Sequence, residues 1–79
     1  MSYQRRTEVA AGEVRAHLGR TRQTVKDLAD ATGIPISTLN RRLLVLSAFT
    51  IDELDAIARH FGVEITDLLR PPVAIEVAS

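Results

Sequence analysis

Ser37, Thr38, Asn40, Arg41 and Arg42, all within one six-residue span, carry most of the chemistry this chain offers. An arginine guanidinium forks two hydrogen bonds onto a guanine edge, an asparagine amide does the same for adenine, and hydroxyls bond bases or phosphates. Other chemistry is thin. There is no cysteine, which removes thiol nucleophiles, disulfides and thiolate metal sites. His17 and His60 stand without the carboxylate or histidine spacing of a metal site, and no glycine-rich phosphate loop is present. Asp52, Glu53 and Asp55 cluster where a helix begins, which is ordinary capping and dipole chemistry. The chain is therefore not expected to be an enzyme, and no cofactor is implied.

The elements that must position those five side chains are legible around them. Thr24 with Asp27 three residues on forms a capping box that opens a helix, whose Leu28 and Ala29 point inward. Gly33 stops that helix by accepting a left-handed conformation, and Pro35 presets the first turn of the next. From there Leu39 and Leu43 form a buried stripe, leaving the polar set on the remaining surface. A short helix of this kind, braced by another across a tight turn, fits a DNA major groove.

Upstream, Met1 to Arg6 lacks periodicity and reads as an arm along DNA or as a frayed terminus. Thr7 can cap a first helix to about Gly19, with Ala10, Val14 and Leu18 on one stripe. Downstream, the run Leu43 to Leu46 fits a core segment, a lengthened third helix or an exposed apolar strip used by a partner. Thr50 and Glu53 make a second capping box, opening a helix with Leu54, Ile57, Ala58 and Phe61 inward until Gly62. Thr66 can cap a last short helix that Pro71-Pro72 must end. Beyond it Val73, Ile75 and Val77 alternate, as in a strand added to a second subunit, unless the tail is disordered.

Seventy-nine residues, 46% hydrophobic, suffice for one small aliphatic-cored domain. No apolar run is long enough to cross a bilayer and no signal-peptide pattern is seen, so a soluble intracellular protein is expected. The zero net charge conceals a split. Residues 1–42 hold eight of the ten Lys and Arg but four of the ten acids, a net +4, and the remainder is −4. Such a chain can turn a basic face to a phosphate backbone and an acidic face away.

The Leu28-Ala29 pair, the Gly33-Ile34 turn and the run from Ser37 to Arg41 resemble the helix-turn-helix of the XRE family, which includes phage Cro and repressor proteins. The likeness continues through Phe49 to Leu54, Ile57-Ala58, Phe61 to Val63 and Asp67 to Leu69, and so spans roughly residues 10 to 70. It implies an all-α, compact five-helix lambda-repressor-like domain at residues 7–70, between an arm at 1–6 and a tail at 71–79. By the same resemblance Ile36, Ser37, Asn40 and Arg41 fall at base-contacting positions, and Arg22, Thr24, Val25, Thr38 and Arg42 at phosphate-contacting ones. Three positions depart from the family pattern: Val25 and Ile36 where polar residues are frequent, and Arg42 where the residue is often apolar. Arg42 is expected to reach the DNA backbone while Leu43 turns inward. The implied function is a sequence-specific regulator acting on double-stranded DNA in the cytoplasm of a bacterial host, as a phage-type repressor or Cro-like protein. It would pair as a homodimer through Leu44, Leu46 and residues 73–77, on half-sites about 34 Å apart. The alternative from another class is a protein-interaction module, antitoxin-like or a transcription-complex adaptor, on the same scaffold.

Overall fold

The computed structural model describes residues 4–70, with side chains from Arg6 onward. Four α-helices and one 3-10 turn follow in order: α1 (Gln4–Thr21), α2 (Val25–Thr32), α3 (Ile36–Leu43), α4 (Ile51–Phe61) and the turn Ile65–Leu68. No strand occurs among the described residues, and the expected strand at 73–77 lies outside them. The domain is all-α as expected, but the fifth helix is replaced by that single turn. It is held by bonds of 3-10 type, Asp67 N–H to the Glu64 carbonyl at 2.9 Å and Leu69 N–H to Thr66 at 3.0 Å. The Asp67 carboxylate accepts from the Glu64 N–H at 3.0 Å, so the turn starts at residue 64 and Thr66 lies inside it rather than capping it.

α1 differs from expectation at both ends. It already includes residues 4–6, which were assigned to an arm, and Thr7 is an interior residue. It also runs through Gly19. A glycine can end a helix but does not oblige one to end. The chain turns two residues later, where Arg22 adopts φ +57° and the N–H groups of Arg22 and Gln23 return to the Gly19 and Leu18 carbonyls. The other signals act as read. Thr24 and Thr50 each accept from the N–H three residues on, Asp27 and Glu53 reciprocate, and Gly33 and Gly62 take left-handed conformations at φ +80° and +72°.

These elements enclose one aliphatic core. Val14, Leu28, Leu39, Ile57 and Leu68 are fully buried, surrounded by Ala10, Leu18, Leu43, Leu54 and Ala58. Burying each large aliphatic side chain contributes about 1.5–3 kcal/mol before chain entropy is subtracted. No polar or charged residue is buried among the described residues, so the core needs no internal ion pair. α3 packs on α1 and α2, while α4 packs on α2 and the 3-10 turn. His17 of α1 stacks on Phe61 of α4 with ring centroids 5.0 Å apart, which places it at the rim of the core. No described helix is long and apolar enough to cross a membrane.

Candidate nucleic-acid interface

The helical repeat sorts α3 into three faces. Leu39 and Leu43 are buried in the core. Thr38 and Arg42, four apart, are half-buried beside that stripe. Ile36, Ser37, Asn40 and Arg41 occupy adjoining positions on the outer face, and all four are exposed. All four expected base-contacting residues therefore share one surface of one helix. Ile36 is 45% exposed, an apolar group able to meet a thymine methyl.

Arg42 requires a correction. Its position next to Leu43 turns it towards α4 rather than outward. Nε and one terminal nitrogen donate to the two Glu53 carboxylate oxygens at 2.8 and 3.0 Å, and the other donates to Ser47 Oγ at 2.5 Å. The two side chains of this bidentate pair are only 18% and 16% exposed. The guanidinium is thus spent on Glu53 and Ser47 rather than directed to the outer face of α3. Arg42 instead fastens α3 to the first turn of α4, where Glu53 also accepts from the Thr50 N–H at 3.0 Å. The hydrogen bonds from Arg42, helped by that backbone N–H, hold the Glu53 carboxyl below its ordinary range despite desolvation.

A second arginine also steadies α3. Arg15 of α1 donates to the Leu43 carbonyl, placing positive charge on an orphan carbonyl at the negative end of the α3 dipole. Neither Arg15 nor the Arg42–Glu53–Ser47 cluster was read from the sequence. The only available signal was the charge at position 42, where its partner lies eleven residues away.

At the N-terminus of α2 the expected phosphate-contacting residues separate. Thr24 is exposed, and its hydroxyl accepts from the Asp27 N–H at 3.0 Å. Val25 packs its side chain against the core, so it can offer only its first-turn backbone N–H, which has no partner within the helix. The Asp27 carboxylate is held below its usual range by the Thr24 backbone N–H and hydroxyl, and it moderates the positive potential of this helix end. Arg22 is exposed in the turn just before it, and Thr38 is half-buried on α3.

Beyond α3 the chain makes a second departure. Leu46 N–H returns to the Arg41 carbonyl at 2.9 Å and Val45 N–H to Arg42 at 3.0 Å, a Schellman closure. The left-handed position falls on Val45 at φ +61°, where glycine is the usual residue. Of the 43–46 run only Leu43 is core; Leu44 and Leu46 are 67% and 65% exposed and Val45 39%. Residues 44–46 are exposed because the helix ends at Leu43 and the Schellman turn carries the next residues off the core.

Comparison with known families agrees with this architecture. The model of the Cro/C1-type helix-turn-helix DNA-binding domain matches residues 13–72, which take in α2, α3, α4 and the second half of α1. No curated protein and no solved structure gives a significant match. An exposed polar face on a helix braced across a glycine turn is the arrangement that family uses to meet DNA, and the match covers most of the sequence. The chain belongs to the Cro/C1-type helix-turn-helix DNA-binding domain family.

Proposed function

We propose that this chain is a sequence-specific transcriptional regulator that inserts α3 into the major groove. Ile36, Ser37, Asn40 and Arg41 read base edges; Thr24, the Val25 amide, Arg22 and Thr38 hold phosphates on either side. The observation that carries this reading is the coincidence of four base-competent side chains on the outer face of α3, while Arg42 is drawn off to fix the helix. A helix-turn-helix domain seated on a promoter can block polymerase by occupancy alone, which favours a repressor or Cro-like role of phage type over activation. The exposed Leu44 and Leu46 favour pairing of two copies, each on its own half-site. The same apolar residues also favour a second reading, in which a different protein docks there and DNA is bound weakly.

The experiment is selection of duplexes from a random pool, followed by titration of the chosen and random duplexes at two salt concentrations. Arg41→Ala should cost about 1–3 kcal/mol on the chosen site and relax preference at one base pair, with a smaller loss on random DNA. Sedimentation of the same mixtures should show two chains per chosen duplex. Equal losses on both duplexes refute base reading by Arg41. Failure of any duplex to be retained at low salt favours the protein-interaction reading.

A further inference from the structure

Lys26 is not among the groups assigned to DNA, yet it stands between two sets of them. It lies on the first turn of α2, directly after Thr24 and Val25. It is two residues before the buried Leu28, so the helical repeat turns it away from the core, and its side chain is 74% exposed. A cleft of about 470 Å³ is lined by Lys26, Asp30, Ile34, Pro35 and Ile36. Lys26 therefore flanks the start of α3, where the base-competent face begins. Its ammonium donates to the Asp30 carboxylate at 3.0 Å, one helical turn on. Asp27, the other acid beside it, accepts from the Thr24 N–H at 2.8 Å and is committed to the cap.

This pair differs in kind from Arg42–Glu53. The Asp30 side chain is 68% exposed and the contact is a single one, so the pair contributes little to stability and opens readily. An ammonium on a flexible four-carbon stem can turn to another acceptor without moving the backbone. We infer, on the reading that α3 enters the major groove, that Lys26 is a further phosphate-binding group and that Asp30 competes with DNA for it. With the N-terminus of α2 beside the DNA backbone, the Lys26 ammonium exchanges the Asp30 carboxylate for a phosphate oxygen. Asp30, left unpaired at that edge, repels the phosphate polymer. The two residues thus set how tightly any duplex is held, while Ile36, Ser37, Asn40 and Arg41 set which duplex is chosen.

The test titrates the chosen and random duplexes over a range of salt concentrations with Lys26→Gln, Lys26→Arg, Asp30→Asn and the double variant Lys26→Gln with Asp30→Asn. Lys26→Gln should weaken binding about three- to tenfold on both duplexes and lower the salt slope by about one, and Lys26→Arg should restore both. Asp30→Asn should tighten binding to both duplexes by about threefold, and most of that gain should disappear in the Lys26→Gln background. Melting temperatures should stay within about 3 °C of the parent protein, because both side chains are exposed. Parental affinity and slope in Lys26→Gln, or an undiminished gain from Asp30→Asn in that background, overturns the assignment. Where Arg41→Ala still relaxes base preference, such a result removes the role of Lys26 alone. Where the parent protein retains no duplex at low salt, the major-groove reading falls with it.

Discussion

Arg42 shows how a single guanidinium divides between reading and holding. Five donors in a rigid fork match a carboxylate as well as they match a phosphate, and here Glu53 takes the fork on both oxygens. Arg42→Met keeps the aliphatic stem and removes the ion pair, leaving Glu53 half-buried without its main partner. The expected loss is about 1–3 kcal/mol of stability, seen as a melting temperature lower by roughly 5–15 °C. The salt slope of DNA binding should stay unchanged, whereas loss of a phosphate contact would reduce it by about one. A slope that falls with stability intact would return Arg42 to the phosphate backbone. At this scale the sequence was informative wherever neighbours decide the outcome. The helical repeat left Ser37, Asn40 and Arg41 on the surface and the family resemblance added Ile36, whereas the pairing of Arg42 depends on where α4 begins, and Glu53 read from the chain was only a capping acid.

The helices themselves were read with uneven success for a reason of range. Thr24 with Asp27 and Thr50 with Glu53 are contacts within one turn, so a local pattern suffices to place the starts of α2 and α4. The ends obey packing as well as local signals. α1 ignores Gly19 and closes at Arg22, and α3 closes on a valine where nothing in the residue types asks for a left-handed backbone. A β-branched side chain in that region costs about 1–2 kcal/mol relative to glycine. Val45→Gly should therefore stabilise the domain, by about 0.5–1 kcal/mol once the added freedom of the unfolded chain is subtracted. A melting temperature raised by roughly 2–8 °C would be the sign. A decrease would mean that Val45 packs on something more valuable than the strain it carries, a subunit neighbour above all.

For the molecule as a whole, three carboxylates tie stability to acidity. Asp27, Glu53 and Asp67 are each held below their ordinary range, Asp27 and Asp67 chiefly by backbone N–H donors and Glu53 chiefly by Arg42. The unfolded chain then takes up protons before the folded one does, so stability increases with pH across the acid window. The contribution is complete at neutral pH, begins to fade as pH drops to about 4, and is gone below the folded values. Melting curves taken from neutral to acid pH should show this fall, and Glu53→Gln should make it shallower. The split of charge between the halves of the chain was legible from residue order, and its use is not: only packing shows that one of the basic residues, Arg42, is committed to the acidic half. That internal commitment separates two kinds of electrostatics. Contacts with a phosphate polymer weaken steeply as ions crowd in, because they rest on released counterions. A shielded, forked pair is screened far less. Rising ionic strength should thus strip this protein from DNA while α3 keeps its seat, so that the released molecule is ready to bind again without refolding.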